Sequence, residues 1–384
     1  MKKRNDVFVY ISVILITLLL LSMLSVYASA TYKSKRSTSF TEKISAKASA
    51  LYEPTENRFI YEKNGDQRMP MASTTKIMTA IVVAKHCEMD EVVIIGPESV
   101  GIEGSSAYLR EGDEYTVLEL VYALLLQSAN DAATALAYYT AGGIEEFAEL
   151  MNAEAESLGL ENTHFTNPHG LDDEEHYTTA KDLAMLGAEL MESPILKGIV
   201  STYKKTFTYG ERVRTYINHN KLLRLYDGGI GIKTGFTKRS GRCLVGAAER
   251  DGMTFISVTL DAPSDWSDHR TMLDFAFDNF EKVEICSKED LSREITVIDG
   301  NKPSVTVSAK KNLEIIKEKG ELDVNEYFSL PSYLIAPIKK GEVVGVAYYK
   351  VGDKTYTVDL IALEDIKKAS KDSIFTKILN KISK

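Results

Sequence analysis

The sequence is poor in cysteine, with only Cys87, Cys243 and Cys286 in 384 residues. An odd number of cysteines at wide spacings is typical of neither a disulfide framework nor a zinc site. The H-E-x-x-H spacing of zinc peptidases and the G-x-S-x-G turn of α/β-hydrolases are also absent. Basic residues are outnumbered, 46 against 55 acidic ones, which gives a formal net charge of −9. An acidic protein of this kind is not expected to bind nucleic acid.

The N-terminal segment has the pattern of an export signal. Residues 2–4 are basic, residues 7–26 are almost entirely apolar, and residues 28–30 read Ala-Ser-Ala, a small-residue cleavage site. We therefore predict a signal peptide over residues 1–30 and a polar, flexible leader over 31–43. An uncleaved membrane anchor is the alternative, since about twenty apolar residues can span a bilayer. Either interpretation predicts that the rest of the chain lies outside the cytoplasm.

Three short motifs carry the chemical information: Ser73-Thr74-Thr75-Lys76, Ser128-Ala129-Asn130 and Lys233-Thr234-Gly235. The first is weak alone, because a serine is followed by a lysine three residues later at Ser201 and Ser308 as well. The other two motifs each occur once. The three together, in this order and at these distances, are typical of penicilloyl-serine enzymes.

Ser73 and Lys76 are predicted to share one face of a helix over residues 73–86. That helix is apolar nearly all round, so we expect it to be buried. Ser73 can be explained as an ordinary helix N-cap. Lys76 cannot, because a lysine at the end of a buried helix must be neutral or paired.

A serine hydroxyl is a poor nucleophile until a base removes its proton. Lys76 can be that base for Ser73 if burial and a second cation lower the pKa of its amine, and Lys233 is the natural second cation.

The remaining motif residues fit supporting roles around that pair. Ser128 can relay a proton to the leaving amine, and the amide of Asn130 can hold a substrate peptide group. Gly235 at a strand edge allows the substrate backbone to approach closely. The backbone N–H groups of Ser73 and Phe236 are candidate oxyanion donors.

The rest of the chain divides by its pattern. Residues 117–194 are mostly helical, 229–261 read as three antiparallel strands, and 269–280 form a closing helix. Residues 284–362 are predicted to form a small β domain. In residues 373–384 five large apolar side chains lie on one helical face opposite three lysines, which favours an interfacial membrane helix over packing on the β domain.

One cluster of histidines and acidic residues, between His164 and His176, does not have the spacing of a metal site. We expect it to be a structural loop.

Four stretches carry a family resemblance: MASTTKIMTA (71–80), LLLQSANDAATALA (124–137), FTNPHGLDDEEHYTTAKDLA (165–184) and GIKTGFTKRSGRCLVGAAERDGM (231–253). They resemble the low-molecular-mass penicillin-binding proteins, serine-type D-alanyl-D-alanine carboxypeptidases of the peptidase S11 kind. The similarity covers a catalytic domain at 44–282, and more loosely the β domain at 284–362 and an amphipathic tail at 366–384. It implies an α+β fold, an antiparallel five-stranded sheet flanked by helices with a helical subdomain, followed by a small all-β domain.

The resemblance also implies roles for particular residues. It implies an acyl-enzyme on Ser73, with Lys76 as the base. It implies that Thr234 and an arginine of the closing helix, best matched by Arg270, bind the substrate's terminal carboxylate. Ser128, Asn130, Lys233, Gly235 and Phe236 complete the site.

The implied substrates are peptidoglycan stem peptides ending in D-Ala-D-Ala, with β-lactams as inhibitors and no cofactor or metal. The implied location is the outer face of the cytoplasmic membrane. A β-lactamase or transpeptidase of the same superfamily, and a penicillin-binding sensor with little turnover, remain alternatives.

Overall fold

The computed structural model describes residues 43–209 and 212–369. The predicted signal peptide, the leader up to residue 42 and the tail from residue 370 lie outside the described residues. The chain divides into two compact units, the first containing residues up to Glu249 together with Thr254–Ala276, and the second Arg250–Met253 together with residues from Phe277 onward. Among the described residues, no helix combines the length and the apolar character needed to cross a bilayer.

The described helices and strands are numbered separately in chain order. The helices are α1 (Lys76–His86), α2 (Val117–Leu126), α3 (Asn130–Ala141), α4 (Ile144–Ser157), α5 (Ala180–Glu192), α6 (Pro194–Val200), α7 (Leu222–Leu225) and α8 (Asp265–Asn279), with 3-10 turns at Ala72–Thr75 and Pro97–Ser99. The strands are β1 (Ala48–Glu53), β2 (Arg58–Lys63), β3 (Val92–Ile94), β4 (Glu114–Thr116), β5 (Lys204–Tyr209), β6 (Arg212–Ile217), β7 (Gly229–Thr237), β8 (Gly241–Arg250), β9 (Met253–Leu260), β10 (Phe280–Cys286), β11 (Ser292–Ile298), β12 (Ser304–Ala309), β13 (Leu313–Glu318), β14 (Val324–Ser329), β15 (Tyr333–Ile335), β16 (Val343–Val351) and β17 (Lys354–Ala362).

The first unit is built on a five-stranded sheet in the order β2-β1-β9-β8-β7. Successive side chains of a strand point to opposite faces. On β9, Ile256 lies close to Gly187 of α5, whereas Ser257 and Thr259 hydrogen-bond His269 of α8. Helices α5 and α8 therefore cover opposite faces of the sheet, and β7 is left at the edge.

Helix α1 lies at the centre of the helical layer and contacts α2, α3, α4 and α5. Its residues Lys76 to Val83 are all buried, as the apolar sequence predicts. Helix α2 begins with a capping box between Thr116 and Glu119. The side chain of Thr179 caps the start of α5 by accepting a hydrogen bond from the Asp182 N–H.

The second unit contains a six-stranded sheet in the order β14-β16-β17-β12-β11-β15, in which only β11 and β15 run parallel, and a β10–β13 ladder. The α+β class, the antiparallel five-stranded sheet and the following all-β part are thus confirmed.

Two elements of the first unit differ from expectation. The β5–β6 hairpin is not predicted by the sequence, because neither strand has a strict apolar alternation and its pairing is visible only in the fold. Helix α8 begins at Asp265 rather than His269. The second difference changes the site.

Candidate active site

The three motifs meet at one cleft. Ser73 lies in the 3-10 turn Ala72–Thr75 at the start of α1, Ser128 lies between α2 and α3, and Lys233 lies on the edge strand β7. The cleft has a volume of about 360 Å³. Its lining includes Ser73, Ser105, Ser128, His219, Lys221, Thr234, Gly235, Phe236, Arg242, Cys243, Asp265 and Trp266.

The amine of Lys76 has three close partners. Its Nζ lies 3.0 Å from Ser73 Oγ, 2.7 Å from Asn130 Oδ1 and 2.6 Å from the carbonyl oxygen of His169. The last two oxygens can only accept hydrogen bonds. A neutral amine has two hydrogens and one lone pair, so donating to both acceptors leaves the lone pair for the Ser73 hydroxyl.

The surroundings favour that neutral form. The Lys76 side chain is completely buried, and burial, followed by the charge of Lys233, holds the pKa of its amine well below the ordinary lysine value. The nearby carboxylate of Asp131 acts in the opposite direction but does not reverse the shift. Burial also lowers the pKa of Lys233, to about 7.

Both polar atoms of the Asn130 side chain have partners within the protein. Its Nδ2 donates to the backbone carbonyl of Glu103, which fixes Oδ1 toward Lys76. The next residue, Asp131, is buried and accepts from the backbone N–H groups of Ala107 and Leu109. Asp131 has no motif that marks it in the sequence, yet its buried carboxylate at the start of α3 holds the loop that carries Ser105 into the cleft.

Ser128 and Lys233 form the second polar pair. Lys233 Nζ donates to Ser128 Oγ at 3.0 Å and to the Thr234 carbonyl at 2.8 Å. Ser128 has a φ of 61°, in the left-handed region that non-glycine residues rarely adopt. Such strain is concentrated at functional sites, where the surrounding structure enforces it.

Strand β7 lies directly against the turn that carries Ser73. A side-chain carbon at Gly235 would lie 3.0 Å from the Ser73 nitrogen and 3.1 Å from the Met71 carbonyl oxygen. Glycine therefore allows a close contact between the two backbones. The neighbouring Phe236 lines the cleft, and its side chain is 67% exposed.

Arg270 does not line the cleft. Because α8 begins at Asp265, Arg270 lies more than one helical turn from the helix start, and its Nη2 donates to the Leu225 carbonyl at 3.3 Å. Arg242 of β8, which pairs with Phe236 in the sheet, lines the cleft instead, and its Nε contacts Asp265 Oδ2 at 3.0 Å. The sequence predicts that the closing helix begins at His269, which would place Arg270 in its first turn.

The histidine-rich segment is a loop packed on the Ser73 turn. His169 contributes its backbone carbonyl to Lys76, and His176 contacts Thr75. His164 Nδ1 is engaged with the Glu175 carbonyl. Within the part of the chain that the structure describes, no three metal-ligating side chains converge.

Comparison with known proteins gives the same class as the site geometry. The sequence profile of the D-alanyl-D-alanine carboxypeptidases matches residues 33–264, and that of the C-terminal domain of penicillin-binding protein 5 matches residues 280–368. The D-alanyl-D-alanine carboxypeptidase DacF of Bacillus subtilis is 32% identical over 84% of this chain and 86% of its own length.

Solved structures agree with the sequence comparison. Penicillin-binding protein 5 from Haemophilus influenzae is 30% identical, with a TM-score of 0.66 over 85% of this chain and 98% of that one. A mutant of the Streptomyces K15 DD-transpeptidase is 33% identical, with a TM-score of 0.58 over 61% of this chain and 98% of that one.

Fold and site together define a penicillin-binding serine hydrolase of the cell wall. The chain belongs to the D-alanyl-D-alanine carboxypeptidase family, peptidase S11, and is a serine-type carboxypeptidase.

Proposed function

We propose that this enzyme removes the terminal D-alanine from peptidoglycan stem peptides ending in D-Ala-D-Ala, through an acyl-enzyme on Ser73. The observation that carries the proposal is the 3.0 Å contact between Lys76 Nζ and Ser73 Oγ, with the other two partners of the amine being obligate acceptors. β-Lactams enter the same reaction and inhibit the enzyme because their acyl-enzyme is released slowly.

In acylation, Lys76 takes the proton of the Ser73 hydroxyl while Oγ attacks the carbonyl carbon of the penultimate residue. The negative charge that develops on the carbonyl oxygen is accepted by the backbone N–H groups of Ser73 and Phe236. The close approach of Gly235 to the Ser73 nitrogen supports this, because Phe236 follows Gly235 directly in the chain.

The leaving D-alanine requires a proton on its nitrogen. Ser128 accepts a hydrogen bond from Lys233, which leaves its own hydroxyl hydrogen available to the leaving amine. The proton taken by Lys76 replaces the one that Ser128 gives. Water then attacks the ester carbonyl while Lys76 accepts a proton from it. The bond between the carbonyl carbon and Ser73 Oγ breaks, Lys76 gives the proton to Ser73 Oγ, and the shortened peptide is released.

The terminal carboxylate of the substrate needs hydrogen-bond donors in the cleft, at least one of them cationic. We assign this role to Thr234 and Arg242 instead of Arg270. The Nε of Arg242 is held by Asp265, and a guanidinium fork oriented in this way matches the two oxygens of a carboxylate.

Arg242→Gln is expected to raise KM for a peptide ending in D-Ala-D-Ala by about 10- to 100-fold, the size of a lost charged hydrogen bond. A substrate with a C-terminal amide should be affected little by the same change. Arg270→Gln is the matched control and should leave both KM values within about twofold of the unaltered enzyme, since an exposed arginine outside the cleft makes no substrate contact. The opposite pattern would return the carboxylate role to Arg270.

D-Alanine release separates the carboxypeptidase from its alternatives. A tripeptide ending in D-Ala-D-Ala should release one D-alanine per turnover, and the penicilloyl adduct should persist for minutes or longer. Rapid turnover of penicillin would indicate a β-lactamase. Transfer to an added amine in preference to water would indicate a transpeptidase, and penicillin binding without D-alanine release would indicate a sensor.

We also propose that residues 1–30 direct export and that residues 366–384 hold the protein on the outer face of the cytoplasmic membrane. The order of basic, apolar and small residues supports the first, and the apolar face opposite lysines in 373–384 supports the second. The acidic composition supports the absence of a nucleic-acid partner. Vesicle cosedimentation with and without residues 370–384 is the corresponding measurement for the tail.

A further inference from the structure

The peptide group between Ala72 and Ser73 contains the Ala72 carbonyl and the Ser73 N–H. Its N–H is one of the two proposed oxyanion donors, and its carbonyl points the opposite way because the peptide is planar and trans. That carbonyl accepts a hydrogen bond from Thr75 Oγ1 at 2.8 Å. Ala72 has a φ of 48°, so this peptide adopts a conformation that the chain does not favour by itself. Fixing the carbonyl therefore fixes the direction of the N–H.

The Thr75 hydroxyl is held in turn by His176. Its Oγ1 lies 2.7 Å from His176 Nε2. His176 Nδ1 lies 3.0 Å from the backbone nitrogen of Thr166, which can only donate. Nδ1 is therefore the acceptor and Nε2 carries the hydrogen, so His176 donates to Thr75 and leaves the Thr75 hydroxyl hydrogen for the Ala72 carbonyl.

The state of the imidazole fits this direction. His176 is buried, and burial lowers the pKa of its ring to about 4, so the ring is neutral at pH 7. Gly170 of the same loop covers the other side of the turn, and a side-chain carbon there would lie 2.0 Å from the Ala72 carbonyl oxygen. The loop that contains Gly170 and His176 thus reaches the Ala72–Ser73 peptide in two ways: Gly170 packs against it, and His176 is hydrogen-bonded to it through Thr75.

We propose that His176 is a positioning residue for the oxyanion site. It acts through Thr75 on the Ala72–Ser73 peptide and keeps the Ser73 N–H directed into the cleft. The proposal rests on the proposed function, because the Ala72–Thr75 turn that it concerns carries the proposed nucleophile, Ser73.

Thr79 provides the comparison that separates positioning from folding. Its Oγ1 donates to the Pro168 carbonyl at 2.6 Å, and its side chain is completely buried. This bond joins the same helix to the same loop but does not involve the Ala72–Ser73 peptide. Thr79→Val therefore removes a hydrogen bond of the same kind with no route to the oxyanion donor.

The test measures the acylation rate constant and the preceding dissociation constant separately, with a fluorescent penicillin over a range of concentrations. His176→Asn keeps an acceptor for Thr166 but loses the donor to Thr75, and Thr75→Val removes the hydroxyl without changing the shape. Both should lower the acylation rate constant about 10- to 100-fold, with the dissociation constant within about twofold, because an oxyanion donor acts in the transition state. His176→Gln keeps a donor near Nε2 and should recover most of the rate.

The double variant His176→Asn/Thr75→Val should be no slower than the slower single variant, since the two residues act through one chain of hydrogen bonds. Thr79→Val should acylate at the rate of the unaltered protein. Equal rate constants for Thr75→Val and Thr79→Val would overturn the proposal, as would additive losses in the double variant. Thr75→Val alone decides the matter if His176→Asn does not fold. A wild-type protein that penicillin does not label at Ser73 would contradict the proposed function itself, which is a different result from a normal wild type with unaffected variants.

Discussion

Ser73→Ala is expected to abolish covalent labelling by a fluorescent penicillin and to reduce D-alanine release below detection. The hydroxyl of Ser73 is the atom that forms the ester, and Lys76 has no other hydroxyl among its three close partners. Losing a catalytic nucleophile removes the covalent route altogether, an effect of about 10⁶-fold in comparable hydrolases. Labelling is measured on a denaturing gel, and D-alanine by a coupled oxidase assay.

Two other serines make matched controls. Ser201 and Ser308 are each followed by a lysine three residues later, yet Ser201 Oγ donates to the Lys197 carbonyl and Ser308 Oγ to the Lys288 carbonyl. Ser201→Ala and Ser308→Ala should both label like the unaltered protein. Undiminished labelling of Ser73→Ala would remove the nucleophile assignment.

The two control serines also show why a serine followed three residues later by a lysine is not enough to identify the site. Spacing of three places Ser73 and Lys76 together because one helical turn continues from the 3-10 turn into α1. Ser201 ends α6 before β5 begins, so the same spacing there does not produce a shared face. The first motif is informative only with the other two, which bring Asn130 and Lys233 to the same amine.

Other parts of the site could not be predicted from side-chain identity. The third partner of Lys76 is the backbone carbonyl of His169, and any residue type supplies a carbonyl. The position of Arg270 depends on where α8 begins, and helix ends are poorly fixed by sequence. The contact between Arg242 of β8 and Asp265 at the start of α8 is tertiary, and neither segment indicates it by itself.

The features of the fold that the sequence does not predict also depend on contacts between distant residues. The alternating strands β11, β12 and β17 of the second unit were recognisable, because period-two patterns are local. Their order in the sheet, and the parallel pairing of Thr296 with Tyr333 in β11 and β15, are non-local and have no signature in either strand.

Replacing Lys76 with arginine tests the neutral-amine mechanism. Arginine stays protonated at every working pH, so it cannot take the Ser73 proton. Loss of a general base should slow penicillin acylation by about 10²- to 10⁴-fold at pH 7. Lys85→Arg, on the same helix but exposed and paired with Glu154 and Glu189, should leave the rate unchanged.

The pH dependence of the acylation rate is a second test of the neutral-amine mechanism. The pKa of Lys76 is lowered well below the ordinary lysine value by burial and by the charge of Lys233, which favours the neutral amine, and a falling pH protonates it. Acylation by the unaltered protein should therefore decline on the acidic side, because protonation removes the lone pair that accepts the Ser73 proton. Lys76→Arg has no such group to titrate, and its residual rate should show no acidic decline of the same midpoint. A rate for Lys76→Arg within tenfold of the unaltered protein, with the acidic limb intact, would mean that a different group accepts the proton.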